Sequence, residues 1–107
     1  MRVVVVHSST QEAVVPVMDQ GLDQLLTGAG SSSFQIVEQR KTWVGPVMNF
    51  SFTGRLGFIS VPMMGTIEVD GENVTVDFAL PPLLQTFVGE AKVRAIVEEN
   101  VRAMVRG

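Results

Sequence analysis

Apolar and polar residues alternate with period two through three successive runs, residues 47–55, 57–69 and 73–80. In the first, Met48, Phe50 and Phe52 fall on one side, with Asn49, Ser51 and Thr53 on the other. That is the pattern of a half-buried antiparallel strand. In the third, Val74, Val76, Phe78 and Leu80 oppose Thr75, Asp77 and Ala79. The second is less regular. Phe58, Ile59 and Val61 are apolar, and Ile67 and Val69 oppose Thr66, Glu68 and Asp70, but Pro62 and Gly65 intervene. Pro removes a ladder donor and Gly loosens the chain, so a bulge, a bend or an edge is expected there. Gly54-Arg55-Leu56-Gly57 reads as a turn, and Asp70-Gly71-Glu72-Asn73 as a hairpin whose Asp-Gly step suits positive φ.

Two further strands precede these runs. Residues 2–7 contain an unbroken Val3-Val4-Val5-Val6, which predicts a strand with both faces partly covered, or with one face at an interface. Residues 34–44 begin apolar with Phe34, Ile36 and Val37, and then turn polar at 38–41. That polar half predicts an edge or a solvent-facing end, since inward charge is costly.

Helical spacing appears twice. Ser9 and Glu12 match a capping box, followed by a stripe of Ala13, Val14, Val17, Met18, Leu22, Leu25 and Leu26. Pro16 predicts a kink or a start near Val15, Gly21 allows close approach to the sheet, and residues 28–33 end the helix. After Pro81-Pro82, residues 83–88 read as a helical turn, interrupted at Gly89. Residues 90–106 form the clearest helix, with Val93, Ile96, Val97, Val101, Met104 and Val105 on one stripe. Glu90–Arg94 and Glu98–Arg102 are favourable i,i+4 pairs. The expected fold is therefore α+β. It has a single mainly antiparallel sheet of about five strands, in the order β-α-β-β-β-β-α, with two helices packed on one face. The other face would carry Asn49, Ser51, Thr53, Thr66, Glu68, Thr75 and Asp77, polar but rich in neutral groups, open to solvent or to a second copy.

Composition narrows the functional classes. At 107 residues the chain is one domain, residues 1–107, large enough for an ordinary core. It has no Cys, which excludes disulfides, thiolate metal sites and Cys nucleophiles. The net charge of −3 argues against a nucleic-acid partner. Charged residues make up 18% and hydrophobic ones 46%, which points either to a dense core or to an extra apolar surface for self-association, a partner or a lipid-like ligand. No signal peptide or membrane-span pattern is present, so a cytoplasmic location is expected.

Candidate chemistry is sparse. His7 is the one histidine and reads as a strand-end residue positioning the first helix rather than as a catalytic base. The acids Glu68, Asp70, Glu72 and Asp77 ring one hairpin as a solvated rim, and no ligand set for a metal emerges. Gly54-Arg55-Leu56-Gly57 lacks the Lys and Ser/Thr of a phosphate loop. No catalytic residue and no cofactor is therefore assigned, and the chain is read as non-enzymatic. Met63 and Met64 beside Pro62, together with Leu84, Phe87, Val88 and Trp43, make up the candidate ligand or partner surface, with core packing as the competing reading.

Several segments recur in a recognisable order. They are His7 before a helix start, Trp43-Val44-Gly45, Met48-Asn49-Phe50-Ser51-Phe52, Gly65-Thr66-Ile67-Glu68-Val69, residues 74–80, and Leu83-Leu84-Gln85-Thr86-Phe87 before a terminal amphipathic helix. In that order and spacing the chain resembles the polyhydroxyalkanoic acid (polyhydroxyalkanoate) system protein family of bacteria, granule-region type, over nearly its whole length. Pro16 and the Gly-Ser spacer depart from it. The resemblance implies a small cytoplasmic accessory protein of the polyester storage granule, contacting the granule surface or a granule-associated protein, and with the apolar composition it sets the expectation of a homodimer. It carries over no catalytic residues. The alternative expectation is a binder of a small acyl-type ligand in a pocket between the sheet and the C-terminal helix.

Overall fold

The computed structural model describes residues 1–29, 34–87 and 89–106, and within these the side chains other than those of residues 24–29, 34, 56, 83, 84 and 87. Its elements are β1 (Arg2–Val6), α1 (Gln11–Ala29), β2 (Phe34–Val44), β3 (Val47–Leu56), β4 (Ile59–Val69), β5 (Asn73–Phe78), α2 (Pro82–Phe87) and α3 (Glu90–Arg106). The strands form one antiparallel sheet in the order β1-β5-β4-β3-β2. α1 and α3 cover one of its faces, which gives the expected α+β architecture.

Period-two alternation decides which side chains enter the core. The covered face takes Val3 and Val5 from β1, Met48 and Phe50 from β3, Ile67 and Val69 from β4, and Val74, Val76 and Phe78 from β5. Val14, Met18 and Leu22 of α1 and Val101 of α3 close over them. Ile96, placed on the α3 stripe by its spacing, is instead 44% exposed on the helix flank.

Gly65 faces the core between Phe50 and Phe78. A Cβ there would stand 2.7 Å from Phe78 Cβ and 2.8 Å from Phe50 Cζ, so the glycine is what lets the two rings close over β4. Neither a bulge nor a bend interrupts β4. Its register with β3 runs unbroken from Leu56↔Ile59 to Val47↔Glu68. Pro62 is tolerated for a positional reason. The Val69 N–H donates to the Pro46 carbonyl, so odd-numbered residues of β4 bond toward β3 and even-numbered ones face the β5 side. β5 ends opposite Gly65, so the missing N–H of Pro62 faces an unpaired edge.

The bulge lies in β2, where the register shifts between Val37 and Arg40 and Glu38 adopts φ 57°. The β2–β3 and β3–β4 loops are the two-residue turns Gly45-Pro46 and Gly57-Phe58, each with positive φ at its glycine, the type II′ arrangement that matches strand twist. The turn expected at residues 54–57 is thus displaced. Gly54 lies within β3, opposite Val61 and buried, and Phe58 stands at the tip, 99% exposed. The Asp70–Asn73 connection does form a hairpin, but it is held by the Asp70 carboxylate, which accepts from the backbone N–H groups of Glu72 (2.7 Å) and Asn73 (2.6 Å).

α1 begins at Gln11 and runs through Pro16 rather than starting near Val15. Its cap is Thr10, whose Oγ1 accepts from the Ala13 N–H at 3.2 Å, in place of the expected Ser9–Glu12 box. Pro16 is exposed, so the carbonyl it leaves unpaired faces water. Of the expected α1 stripe, the side chains of Leu25 and Leu26 lie outside the described residues, as do residues 30–33 of the spacer. α2 starts with Pro82 at its first position and Gly89, at φ 86°, separates it from α3. The pairs Glu90–Arg94 (3.9 Å) and Glu98–Arg102 (2.7 Å) form as expected.

Candidate functional site

The polar side chains that look most like chemistry are engaged in holding the fold. His7 is buried, and its Nε2 lies 2.8 Å from the Asp70 carbonyl while its Nδ1 lies 3.2 Å from the Ser9 N–H. A carbonyl only accepts and a backbone N–H only donates, so Nε2 carries the proton and Nδ1 accepts. The ring thereby ties the end of β1 to the β4–β5 turn and to the approach to α1. Among the described residues, no group of three His, Cys, Asp or Glu side chains is placed to hold a metal ion.

A second cluster joins α1 to β2. Lys41 and Trp43 alternate with Thr42 and so share the covered face. The Lys41 Nζ lies 3.1 Å from Asp19 Oδ1 and 2.7 Å from Asp23 Oδ2, and donates to the Asp19 carbonyl at 2.7 Å. Trp43 Nε1 donates to Asp19 Oδ1 at 2.8 Å. Burial pulls the Lys41 ammonium down, but the two aspartates reverse this and leave it above its ordinary value. The Trp43 N–H, with Lys41, holds the Asp19 carboxyl below its own. The polar half of β2 is thus at the sheet edge as expected, but Lys41 points inward and is neutralised there.

Among the described residues, the candidate surface residues Met63, Met64 and Trp43 do not share one face. Successive residues of a strand face opposite ways, so Met63 packs half-buried against the core while Met64 is 69% exposed on the other face. Trp43 is part of the core margin. Val88 and the side chains of Leu84 and Phe87 lie outside the described residues. The expected space between sheet and C-terminal helix holds the buried Val3, Leu80 and Val101, with Met104 against Gly21. Neither of the two described hollows opens into it.

Among the described residues, the uncovered face of the sheet is the surface left available. Asn49, Ser51, Thr53, Thr66, Glu68, Thr75 and Asp77 all lie on it, as their alternation predicts. Cross-strand register aligns Thr42, Asn49, Thr66 and Asp77 in one row, and Arg40, Ser51 and Met64 in the next. Between these rows lies a shallow depression of about 420 Å³. Val44, 66% exposed, lies in the next row beside it, while Val4 and Val6 of β1, 51% and 74% exposed, stand on the same face beyond β5. The main charges on that far side, Arg2 and Asp77, satisfy one another at 3.2 Å. Of the two expectations for the valine run, the structure takes the one with a single covered face and leaves Val4 and Val6 open, whereas sequence reasoning missed Val44 as a surface residue. No protein-family model matches the chain, and no curated protein matches its sequence. No helix among the described residues is long and apolar enough to cross a membrane.

Proposed function

We propose that the chain is a non-enzymatic accessory protein of polyhydroxyalkanoate storage, acting as a homodimer and meeting the granule surface through its uncovered sheet face. The observation that carries this reading is the chemistry of that face. Thr42, Asn49, Ser51 and Thr66 offer neutral donors at strand spacing, and Met64 and Val44 offer apolar area beside them. A polyester surface presents carbonyl acceptors without donors, interleaved with alkyl groups, and this face is complementary to both. Of its charges Arg2 and Asp77 satisfy one another, so the ionic desolvation that opposes contact falls mainly on the exposed Arg40 and Glu68. The resemblance to the granule-region family supplies the polymer. The engagement of His7 in tying β1 to the β4–β5 turn supports a structural rather than a catalytic role for it.

The test is co-sedimentation with polyhydroxyalkanoate particles against an unrelated protein of similar charge. Met64→Asp with Thr66→Asp is expected to lower the bound fraction about tenfold, by putting unpaired charge against an apolar surface. Ile96→Asp, on the helix side, is expected to leave binding unchanged. Equal binding by both variants would overturn the assignment of the face, and no binding above the control would overturn the polymer as ligand.

A further inference from the structure

The sheet has two edges, and they are not alike. β2 is bulged at Glu38 and carries Arg40 and Lys41, devices that discourage strand pairing. β1 has no bulge, no proline and a single charge, Arg2, already paired with Asp77. Its backbone polarity follows from its bonds to β5. The Phe78 N–H donates to the Met1 carbonyl and the His7 N–H to the Glu72 carbonyl, so odd-numbered residues of β1 bond inward. The N–H and C=O groups of Arg2, Val4 and Val6 therefore point out of the sheet. At one end α3 covers this edge, where Arg94 Nη1 donates to the Arg2 carbonyl at 2.8 Å. Val4 and Val6 are left with outward backbone groups and exposed apolar side chains.

We propose that this free edge joins two copies of the chain, β1 running antiparallel to β1 of the second copy across a twofold axis at Val5. This deepens the homodimer reading and does not depend on the polymer. The register is self-complementary. Val4 of one copy stands opposite Val6 of the other, each pair exchanging both N–H···O=C bonds, while Val5 meets Val5 at a non-bonded position. Arg2 stays outside the pairing with its Arg94 bond intact, so no like charges meet. The two α3 helices lie at opposite ends of the paired strands. An isologous contact of this kind closes after two copies, and the blocked β2 edge prevents further growth. Joining the sheets also places the exposed valines of both copies in one apolar strip on the uncovered face. A ladder this short falls below the roughly 1,000 Å² of a stable interface, so the dimer is weak and concentration-dependent.

The test is amide hydrogen exchange, resolved by residue, from about 20 µM to about 1 mM, alongside sedimentation velocity. The Val4 and Val6 amides are expected to slow by about tenfold across this range, in step with dimer formation, while Val3 and Val5 stay protected throughout. Val4→Lys with Val6→Lys is expected to abolish both the slowing and the dimer, with retained protection at Val3 and Val5 reporting an intact fold. A dimer whose Val4 and Val6 amides exchange freely would overturn the edge while leaving the homodimer standing. A monomer at every concentration would overturn both.

Discussion

A charged side chain on the covered face of a sheet is tolerated only where partners meet it, and Lys41 meets two. Asp19 and Asp23 reach it from successive turns of α1, and Trp43 supplies a second donor to Asp19. The effect on pH dependence has opposite signs at the two ends. Asp19 is held below its unfolded value of 3.8, so its stabilisation is present above that pH and is lost as pH falls through the lower folded value. Asp70, held down by the N–H groups of Glu72 and Asn73, adds to the same acid limb. Lys41 is raised above 10.5, so its contribution is present below that pH and is lost as pH rises through the folded value. The urea midpoint is therefore expected to hold through neutral pH, falling below about pH 4 and above about pH 10.5. Asp19→Asn keeps an acceptor for Trp43 but removes the titrating charge, and is expected to flatten the acid limb in part. An acid limb identical to wild type would show that Asp19 contributes no pH-linked stability in acid.

Two glycines bring elements into contact, and their surroundings give them different tolerances. Gly65 in β4 faces the Asp77 carbonyl oxygen at 2.5 Å and Phe78 Cβ at 2.7 Å from the position a Cβ would take. Neither atom can yield without moving β5. Gly65→Ala is expected to destabilise by about 2–3 kcal/mol in urea titration, an overpacking cost larger than the entropy gained on losing glycine. Gly21 in α1 instead faces the thioether end of Met104, which can rotate away. The helix gains about 1 kcal/mol from Ala, so Gly21→Ala is expected to lie within about 1 kcal/mol of wild type. The contrast marks what was legible in the sequence. Strand existence, order and facing were readable wherever alternation was clean, as from Met48 to Phe52 and from Val74 to Phe78, because a one-residue slip would expose the whole core face. The unreadable features depend on tertiary context. Pro62 marks the edge among the bulge, bend or edge that its residue type allows, and the choice among them depends on where β5 ends, which is invisible locally. The β2 bulge uses Glu38 rather than Gly and so leaves no signature. Gly54 resembled a turn residue although it is a buried position in β3. The candidate site was less legible than the fold. Adjacent Met63 and Met64 read as one patch, yet the pleat sends them to opposite faces.

At the scale of the molecule the sheet is uneven, and its extents of 42 × 25 × 21 Å reflect this. β3 and β4 pair along their whole lengths, whereas β5 supports β4 only from Gly65 to Val69, and β1 supports only β5. One end is therefore a five-strand platform whose Met48, Val69 and Val74 are fully buried beneath the helices. The other is a ribbon of β2, β3 and β4 reaching past Phe52 and Val61 to the exposed Phe58, with the Arg40–Ser51–Met64 row at the junction. Fewer buried contacts and more solvent-facing ladder bonds lower the free energy of local opening. The ribbon is thus expected to open without the platform. In native-state exchange the Val61 amide, bonded toward Gly54, should exchange about a hundredfold faster than the Ile67 amide, bonded toward Met48 in the same strand. Added denaturant should accelerate Ile67 with the slope of global unfolding and Val61 with a smaller one. Equal rates and slopes at both positions would show that the sheet opens as one unit. The uncovered face would then be one rigid surface, rather than a fixed platform joined to an adjustable ribbon.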